Sequence, residues 1–408
     1  MEFRPILSTL MRHKIAALLI VLEIALSCAI VCNALFLINE RLHRMDSPSG
    51  IAENELVRIQ AGSLRQLGQD DALNRSVTRE YMDALRKVPG VAQVAITPQY
   101  PFGDSSSNSG VRLTAEQETS TLSASVYFDE GNLLETFGLR LVAGRDFAPD
   151  EYQDMAVLEK SGDSGRVNGA IINRAMAEKL FPGQNAVGKT FYSWGEPPIP
   201  VIGVVEHLAR PNVSQPDQYS MIFPIREYRP GMQFILRTEP GRRAEVMKAG
   251  LDALKRNDPN LLVVGQSLIS DERAEFFQQD RSMAWLLVAV ITALLVVTAL
   301  GIVGLASFWV QQRTKQIGVR RALGATRGQI LRYFQTENFL LATVGIVLGM
   351  LLAYSINQLL MAKYELPRLP LHYLPIGAVA LWLLGQVAVF GPARRAASVP
   401  PAVATRSV

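Results

Sequence analysis

Four long apolar runs constrain this sequence more than any other feature. Residues 283–310, 339–361 and 373–391 carry no charged side chain, and residues 15–39 carry one, Glu23. A helix needs about 20 apolar residues to cross the ~30 Å hydrocarbon core of a bilayer. Each run is close to that length or exceeds it, so the sequence predicts four transmembrane helices. Charged residues make up only 19% of the chain, against about 25% in a typical soluble domain.

The first run is interpreted as an uncleaved membrane anchor. Its apolar core is about twice as long as that of a signal peptide, and no A-x-A cleavage site follows it. Cys28 and Cys32 lie one helical turn apart within it and are not expected to form a structural disulfide. Residues 1–14 are predicted to form a cytoplasmic amphipathic helix at the membrane surface, with Ile6, Leu7, Leu10 and Met11 on one side.

The distribution of positive charge predicts the orientation in the membrane. Lys and Arg concentrate at the cytoplasmic ends of spans. Here they cluster before the first run, between the second and third runs, and after the fourth: Arg4, Arg12, Lys14, Arg313, Lys315, Arg320, Arg321, Arg327, Arg332, Arg394, Arg395 and Arg406. Both termini, including the tail 392–408, and the loop 311–338 are therefore predicted to be cytoplasmic. Residues 45–280 are predicted to lie outside.

Residues 45–280 are expected to form a large extracytoplasmic α+β domain. Two similar β-α-β patterns occupy its ends and predict a ferredoxin-like sheet. Within the first pattern, Thr78 is the expected helix cap. The pattern segments are 55–60, 78–88 and 91–97, then 233–238, 241–257 and 261–266.

The middle of this domain has a different texture, with Gly, Ser, Asn and Pro between short β-prone runs. Residues of about 105–225 are therefore predicted to be an inserted β-rich lobe, with 104–110 as an exposed loop. The expected fold class is a multi-span α-helical membrane protein with four transmembrane helices and this α+β domain outside.

One motif imitates a nucleotide-binding site. Residues 183–190 fit G-x-x-x-x-G-K-[ST] with Gly183 and Gly188. A phosphate-binding loop needs a strand before it and a helix after it. A helical stretch and Pro182 precede this segment, and the prolines at 197 and 198 follow it. We interpret it as a structural turn.

The sequence offers little chemistry for catalysis. His13, His43, His207 and His372 are scattered without metal-ligand spacing, and no G-x-S-x-G motif occurs. No catalytic residue, metal site or cofactor is therefore predicted on this chain, and it is not expected to be an enzyme. The net charge of +4 gives no indication of nucleic-acid binding.

The loop 311–338 combines arginines with apolar residues. The residues that give it an apolar side are Ile317, Ala322, Leu323, Ile330, Leu331 and Phe334. Gly324 followed by Thr326 predicts a break and a new helix cap. Composition alone leaves two interpretations open, a basic helix on the membrane surface or a docking helix for a cytosolic partner.

Several motifs together resemble one family. Residues 316–325 (QIGVRRALGA) resemble the cytoplasmic loop of MacB/FtsX-type ABC transporter permeases, although Gln316 stands where an acid is usual. Residues 133–147 and 180–190 are similar to signatures of the family's outer domain, and residues 392–402 resemble its ending. The matched positions are the loop residues Ile317, Gly318, Val319, Arg320, Arg321, Ala322, Leu323, Gly324 and Ala325, and the outer residues Gly138, Gly144, Arg145, Phe147, Gly183 and Gly188.

The resemblance implies a half-size permease of the bacterial inner membrane. ATP and magnesium would bind a separate cytosolic ATPase, which would contact residues 317–325. A second permease copy or a paralogue is implied as a further partner, and for some members of the family a periplasmic adaptor and an outer-membrane channel. The implied function is export by mechanotransmission, in which the spans move the outer domain. The alternative is an FtsX-like regulator that transmits the state of the ATPase to an outer partner without transport.

Two features of the spans remain open from sequence alone. Gly345 and Gly349 permit close helix packing, either within one subunit or between two. Glu23 lies within the first run, where an ionisable group is costly. A structural carboxyl group is favoured over a proton relay.

Overall fold

The computed structural model describes residues 14–68, 70–160, 166–195, 197–211, 218–364 and 368–400. The predicted amphipathic helix at 1–14 and the end of the tail, 401–408, lie outside the described residues, apart from Lys14. The chain divides into two compact units. We call Asp46–Gln278 the α+β domain, and Met1–Met45 together with Gln279–Val408 the helical unit.

The helices of the described chain fall into long apolar ones and shorter ones. In chain order they are α1 Lys14–Asp46, α2 Asp71–Arg86, α3 Leu133–Phe137, α4 Met155–Lys160, α5 Arg174–Leu180, α6 Arg243–Asn257, α7 Ile269–Phe276, α8 Gln278–Gln312, α9 Thr314–Ala322, α10 Arg327–Tyr364 and α11 Tyr373–Ala397. Short 3-10 turns occupy Glu53–Glu55, Leu64–Gly68 and Pro240–Arg242.

All strands among the described residues belong to the α+β domain. They are β1 Leu56–Ser63, β2 Val91–Ile96, β3 Asn108–Val111, β4 Leu122–Phe128, β5 Leu141–Gly144, β6 Gln153–Asp154, β7 Ala170–Asn173, β8 Thr190–Phe191, β9 Ile199–Val205, β10 Ser220–Phe223, β11 Ile225–Arg226, β12 Met232–Thr238 and β13 Leu261–Leu268.

Four helices, α1, α8, α10 and α11, are long and apolar enough to cross a membrane. Each contains one of the four predicted runs and extends beyond it, because flanking polar residues continue the same backbone hydrogen bonding. The largest difference is at α10, which begins at Arg327 and not at the predicted residue 339. The second half of the predicted loop 311–338 is therefore helix.

The first sheet of the α+β domain has the order β13-β1-β12-β2. All its neighbours pair antiparallel, and α2 and α6 connect its strands, which is the ferredoxin-like arrangement that the sequence predicted. Side chains alternate between its two faces. Val57 and Ile59 of β1 pack with the helices, whereas Leu56 belongs to a core that also contains Tyr127 and Ile222 of the second sheet.

The second sheet has the order β3-β4-β10-β7-β9-β5, with β8 paired to β9. Its strands lie between Asn108 and Phe223, the segment that the sequence analysis treated as an inserted lobe. The β4–β10 and β7–β9 pairs are parallel and the others are antiparallel. A separate core forms on the lobe's other face around Phe191, Phe223 and Met176.

Several local expectations within the α+β domain are wrong. Helix α2 begins at Asp71, and Asp70 caps it by accepting from the amides of Ala72 and Leu73. Thr78, the expected cap, lies buried within the helix. The buried side of the helix begins before Thr78, since Asn74 and Val77 are also buried. Of the expected exposed loop 104–110, residues 104–107 lie outside the strands and are exposed, whereas Asn108 starts β3.

Candidate functional site

The segment after the second long helix forms a short helix, a tight turn and the start of α10. Gly324 occupies the turn with φ +98°, a main-chain conformation that residues other than glycine rarely adopt. Thr326 then caps α10, because its hydroxyl oxygen accepts from the amide of Gln329 at 3.3 Å. The Gln329 side chain accepts in return from the amide of Thr326 at 2.8 Å. This reciprocal pair is a capping box, and it fixes where the turn ends.

Helix α9 buries one side against α10 and α11. Ile317 and Gly318 are buried, and Ile317 packs with Ile330 and Phe334 of α10 and with Ala393 and Ala396 of α11. These contacts anchor the helix on the helical unit. They also account for a large part of the apolar side that the sequence predicted.

The opposite side of α9 is apolar and exposed. Val319 is 49% exposed and Leu323, just after the helix, is 83% exposed, with exposed Ala322 between them. The expectation of one apolar side that includes Ala322 and Leu323 is therefore wrong. These residues come five and six positions after Ile317, and at 3.6 residues per turn such positions point away from the buried side. We call Val319, Ala322 and Leu323 the exposed face.

The arginines of this segment lie beside the exposed face. The guanidinium of Arg320 stacks over the ring of Tyr333 at 5.1 Å from its centroid. Arg321 donates to the carbonyl oxygen of Ala325 at 3.4 Å. Lys315 and Gln316 are exposed. The exposed face is thus an apolar patch with a positive border and with its turn stabilised by the neighbouring arginine.

A buried ion pair joins the start of this segment to α10. Arg313 Nη1 donates to both carboxylate oxygens of Glu337, at 3.0 and 2.9 Å. The side chains are 9% and 1% exposed. Sequence analysis treated Arg313 as one of several orientation signals and did not predict this pair. The sequence did contain a signal for it, because Glu337 is an acid in a segment rich in arginine and lies directly before the apolar run 339–361.

The two glycines of α10 face the first helix of the same chain. A Cβ placed on Gly345 would lie 2.9 Å from Cβ of Ile24 and from the carbonyl oxygen of Val21. A Cβ on Gly349 would lie 2.5 Å from Cβ of Cys28. Of the two interpretations of this motif, packing within one subunit is therefore the arrangement observed.

Glu23 packs against the second helix. A Cβ on Gly301 of α8 would lie 2.5 Å from each carboxylate oxygen of Glu23, so the glycine provides the space that the carboxyl group occupies. One turn further along α1, the hydroxyls of Ser27 and Thr298 form a hydrogen bond of 2.8 Å. Glu23 thus lies at a polar seam between α1 and α8, half-buried and without a hydrogen bond to any described residue.

The outer signature at 133–147 shapes one corner of the α+β domain. Gly138 ends α3 with φ +70°, and Gly144 lies so close to the carbonyl of Ile202 that a side chain would collide with it. Arg145 pairs with Glu151 through two hydrogen bonds of 2.7 and 2.8 Å. Phe147 is buried and packs edge-on against Tyr152. These residues build a turn, which is a structural role.

The segment that imitates a P-loop is a turn between a helix and a strand. Helix α5 precedes it and β8 follows it. Gly183 and Gly188 have φ of +68° and +85°, and the amide of Gly188 donates to the carbonyl of Val201 at 2.8 Å. The order helix, turn, strand is the reverse of the strand, loop, helix order that holds a phosphate.

The α+β domain also contains buried carboxyl groups with opposite electrostatics. Burial raises the pKa of Asp129, although the amides of Gly131 and Leu133 donate to it. For Asp258, burial acts in the same direction but is outweighed by hydrogen bonds, including those from Tyr81 and Arg65. The pKa of Asp258 consequently falls to about 2.

Together, the four apolar helices, the ferredoxin-like domain between the first two and the basic segment with the exposed face define a multi-span membrane protein of the permease class. The model of the MacB-like periplasmic core domain matches residues 17–254, and that of the FtsX-like permease C-terminal region matches residues 288–401. The chain belongs to the MacB/FtsX family of ABC transporter permeases, as its motifs indicated, and is an inner-membrane protein.

Curated relatives cover the chain to different extents. It is 26% identical to the macrolide export ATP-binding/permease protein MacB of Acinetobacter baylyi over 98% of this chain and 59% of the relative. For MacB of Chromobacterium violaceum the identity is 27% over 65% of this chain and 40% of the relative. The chain thus spans about half the length of these two relatives. It is 24% identical to the ABC transporter permease YknZ of Bacillus subtilis, over 99% of this chain and 98% of YknZ.

Two solved structures are similar to part of the chain. The extracellular domain of YknZ from Gram-positive bacteria matches with a TM-score of 0.31 and 19% identity, over 51% of this chain and all of that domain. The periplasmic region of MacB from Actinobacillus actinomycetemcomitans matches with a TM-score of 0.32 and 16% identity, over 54% of this chain and 93% of that region.

Proposed function

We propose that this permease couples ATP hydrolysis by a cytosolic ABC ATP-binding subunit to movement of its α+β domain, and thereby drives export of a substrate handled outside the membrane. The observation that carries the proposal is the exposed face of α9. Leu323, at 83% exposure, belongs to a turn that is anchored on one side by Ile317 and ended on the other by the capping box. An apolar patch held rigidly in this way is suited to contact another protein.

The location of ATP hydrolysis on a separate chain is part of the proposal. YknZ, which this chain matches over nearly the full length of both, is named as a permease. ATP and magnesium would bind that separate subunit. A second copy of this chain or a related permease would complete the assembly, because two ATP-binding subunits each need a docking surface. A periplasmic adaptor and an outer-membrane channel would extend it.

The proposed orientation places both termini and residues 311–338 in the cytoplasm and the α+β domain in the periplasm. The basic residues that flank the helices support it. Mechanotransmission is supported by the composition of the spans, since residues 283–310, 339–361 and 373–391 contain no charged side chain. Helices of this kind suit rigid movement better than they suit lining an aqueous path.

Substitution on the exposed face tests the proposal. The chain is co-expressed with each separately encoded ABC ATP-binding subunit of the same genome, and the complex and its ATP hydrolysis are measured after purification. Leu323→Asp and Ala322→Asp are expected to weaken association by about tenfold or more, because a charge would be buried without a partner. Both positions are exposed, so the fold should persist.

Leu64→Asp provides the matched control. Leu64 is 49% exposed and belongs to the α+β domain, so association should be unchanged. Unaltered association of both α9 variants with every subunit that binds the wild type would refute the docking role. ATP hydrolysis by the purified chain alone would refute the separate location of the ATPase.

A further inference from the structure

The junction between α8 and α9 is compact. Helix α8 ends at Gln312 and α9 begins at Thr314, with Arg313 between them at φ −100° and ψ 10°. The amide of Arg313 donates to the carbonyl of Trp309 at 3.0 Å, and the amide of Ile317 donates to the carbonyl of Arg313 at 2.9 Å. Main-chain hydrogen bonds therefore continue on both sides of the junction, and Arg313 is the single residue between the two helices.

The side chain of Arg313 is taken out of water at this junction. Its guanidinium lies 5.5 Å from the ring centroid of Trp309 and donates through Nη1 to both oxygens of Glu337. Its Nη2 is buried and has no hydrogen-bond partner among the described residues. In water, all donors of an arginine would form hydrogen bonds. At this junction the Arg313 guanidinium loses part of its hydration and is held in one position.

Such a pair is a poor means of adding stability. Buried ion pairs often contribute no more than well-packed apolar side chains, because desolvation offsets the attraction between the charges. What they supply is a specific position, since each charge has a single low-energy location opposite the other. Removing one partner is costly, because the other charge is left buried and uncompensated.

The pair closes a loop in the helical unit. Glu337 lies in α10, beyond the capping box at Thr326 and the contacts that Ile330 makes with Ile317. Helix α9 is thus tied to α10 at both of its ends, by the ion pair where it starts and by the Gly324 turn where it stops. Leu323 is ten residues from Arg313, about 15 Å along a helix. A force applied to the exposed face by a bound partner therefore exerts a torque on the junction at Arg313.

We propose that Arg313 and Glu337 are positioning residues that make α9 rigid with respect to α8 and α10, so that displacement of the exposed face is transmitted to both long helices. The inference rests on the proposed function, which supplies the load at Val319 and Leu323. Without the pair, α9 keeps its contact at Ile317 and the Gly324 turn but is no longer fixed where it starts. It then pivots about Ile317, and the displacement is dissipated.

Rigidity is measured first, on the purified full chain in lipid nanodiscs. Spin labels are attached at Ala322→Cys on α9 and Ser355→Cys on α10, both exposed positions. Ser355 lies about 42 Å along α10 from its first residue, Arg327. Cys28 and Cys32 are 0% exposed and should remain unlabelled. The distance distribution between the labels is expected to be narrow in this background and clearly broader when Glu337→Gln is added.

Coupling is measured second, with the ATP-binding subunit that forms a complex with the wild type. In the wild type, binding of the permease is expected to raise the rate of ATP hydrolysis by the ATP-binding subunit. Glu337→Gln is expected to reduce that rise by about tenfold, while the dissociation constant of the complex stays unchanged. The double variant Arg313→Gln with Glu337→Gln should lose no more than the worse single variant, because the two residues act as one unit. Glu245→Gln, which removes the exposed pair with Arg242 in the α+β domain, should match the wild type.

The outcomes separate the two proposals. An unchanged distance distribution in Glu337→Gln overturns the positioning role and leaves the docking role standing. Association that survives Leu323→Asp refutes the docking role, whereas a broadened distribution would still support the rigid junction. If Glu337→Gln and the double variant both fail to reach the membrane, the pair is a folding requirement and the positioning role is wrong.

Discussion

Asp129 and Asp258, two carboxyl groups buried in the same α+β domain, should respond to pH in opposite ways. Because burial raises the pKa of Asp129 in the folded state, its contribution to stability is greatest below the ordinary carboxyl pKa and is lost as pH rises through the raised value. For Asp258, whose pKa is lowered to about 2, the contribution is present above the ordinary value and is lost as pH falls toward 2.

Replacement of each group by its amide tests these signs. Asp129→Asn retains an acceptor for the amides of Gly131 and Leu133, so at neutral pH it should be at least as stable as the wild type. The difference in stability between Asp129→Asn and the wild type should shrink as pH falls, because the wild-type carboxyl group becomes protonated. Asp258→Asn should be less stable at neutral pH by about 1.5–3 kcal/mol, because hydrogen bonds to a charged acceptor are lost. Thermal melting of the full chain from pH 2 to 8 provides the measurement, because the Asp258 contribution is lost between its ordinary pKa and about 2. Equal pH dependence of the two variants would contradict the assignment.

Among the described glycines of the helical unit, Gly349 is the one where an added Cβ would lie nearest to the main chain of another helix. A side chain there would meet Cβ of Cys28 and the carbonyl oxygen of Ala25, 2.6 Å from the new Cβ. Gly349→Val should therefore destabilise the helical unit by about 1–3 kcal/mol, as overpacking does. Gly304→Val introduces the same group in α8 where nothing lies within 4 Å. Equal melting temperatures of the two variants in detergent would show that the α1–α10 contact is not tight.

At the scale of elements, the turn between α9 and α10 depends on its cap. Thr326→Ala removes one of the two acceptors for the amide of Gln329, since the carbonyl oxygen of Thr326 also accepts from it at 3.2 Å. The loss of the hydroxyl cap should cost about 1 kcal/mol. Hydrogen exchange at that amide should accelerate by about fivefold, whereas Thr326→Ser, which keeps the hydroxyl, should exchange as the wild type does. Unchanged exchange in Thr326→Ala would mean that the carbonyl oxygen of Thr326 alone protects this amide and that the hydroxyl cap contributes nothing to it.

The cap at Thr326 was predictable from sequence, and so were the four long helices and the ferredoxin-like order, because each depends on local features. Lipid imposes continuous apolar runs, and Gly324 followed by Thr326 satisfies local backbone requirements. The pair of Arg313 and Glu337 depends instead on how two helices meet across 24 residues of sequence separation. An arginine at the end of an apolar run is ordinarily interpreted as a signal of membrane orientation. That Arg313 is buried is therefore known only from the structure.

The boundary of α2 shows a different limit. Asp70, Asp71 and Thr78 all suit a helix start by residue type, and the strongest apolar periodicity begins near the last of them. Tertiary packing decides between them, because Asn74 and Val77 are buried and must belong to the same helix face as Tyr81. The exposed face of α9 was misjudged for a related reason, since periodicity identifies apolar residues but not which of two apolar directions finds a partner.

At the scale of the whole molecule, the proposed function requires Leu323 and the α+β domain to lie on opposite sides of the membrane. Leu323 and Val264, at 83% and 63% exposure, offer single sites in the two units where a cysteine should be tolerated. In intact spheroplasts, a maleimide that does not cross the membrane should label Val264→Cys and should label Leu323→Cys only after permeabilisation. The wild type, with Cys28 and Cys32 buried, is the control for background labelling. Labelling of both sites in intact spheroplasts would place the exposed face on the same side as the domain it is proposed to move, and no cytosolic ATP-binding subunit could then reach it.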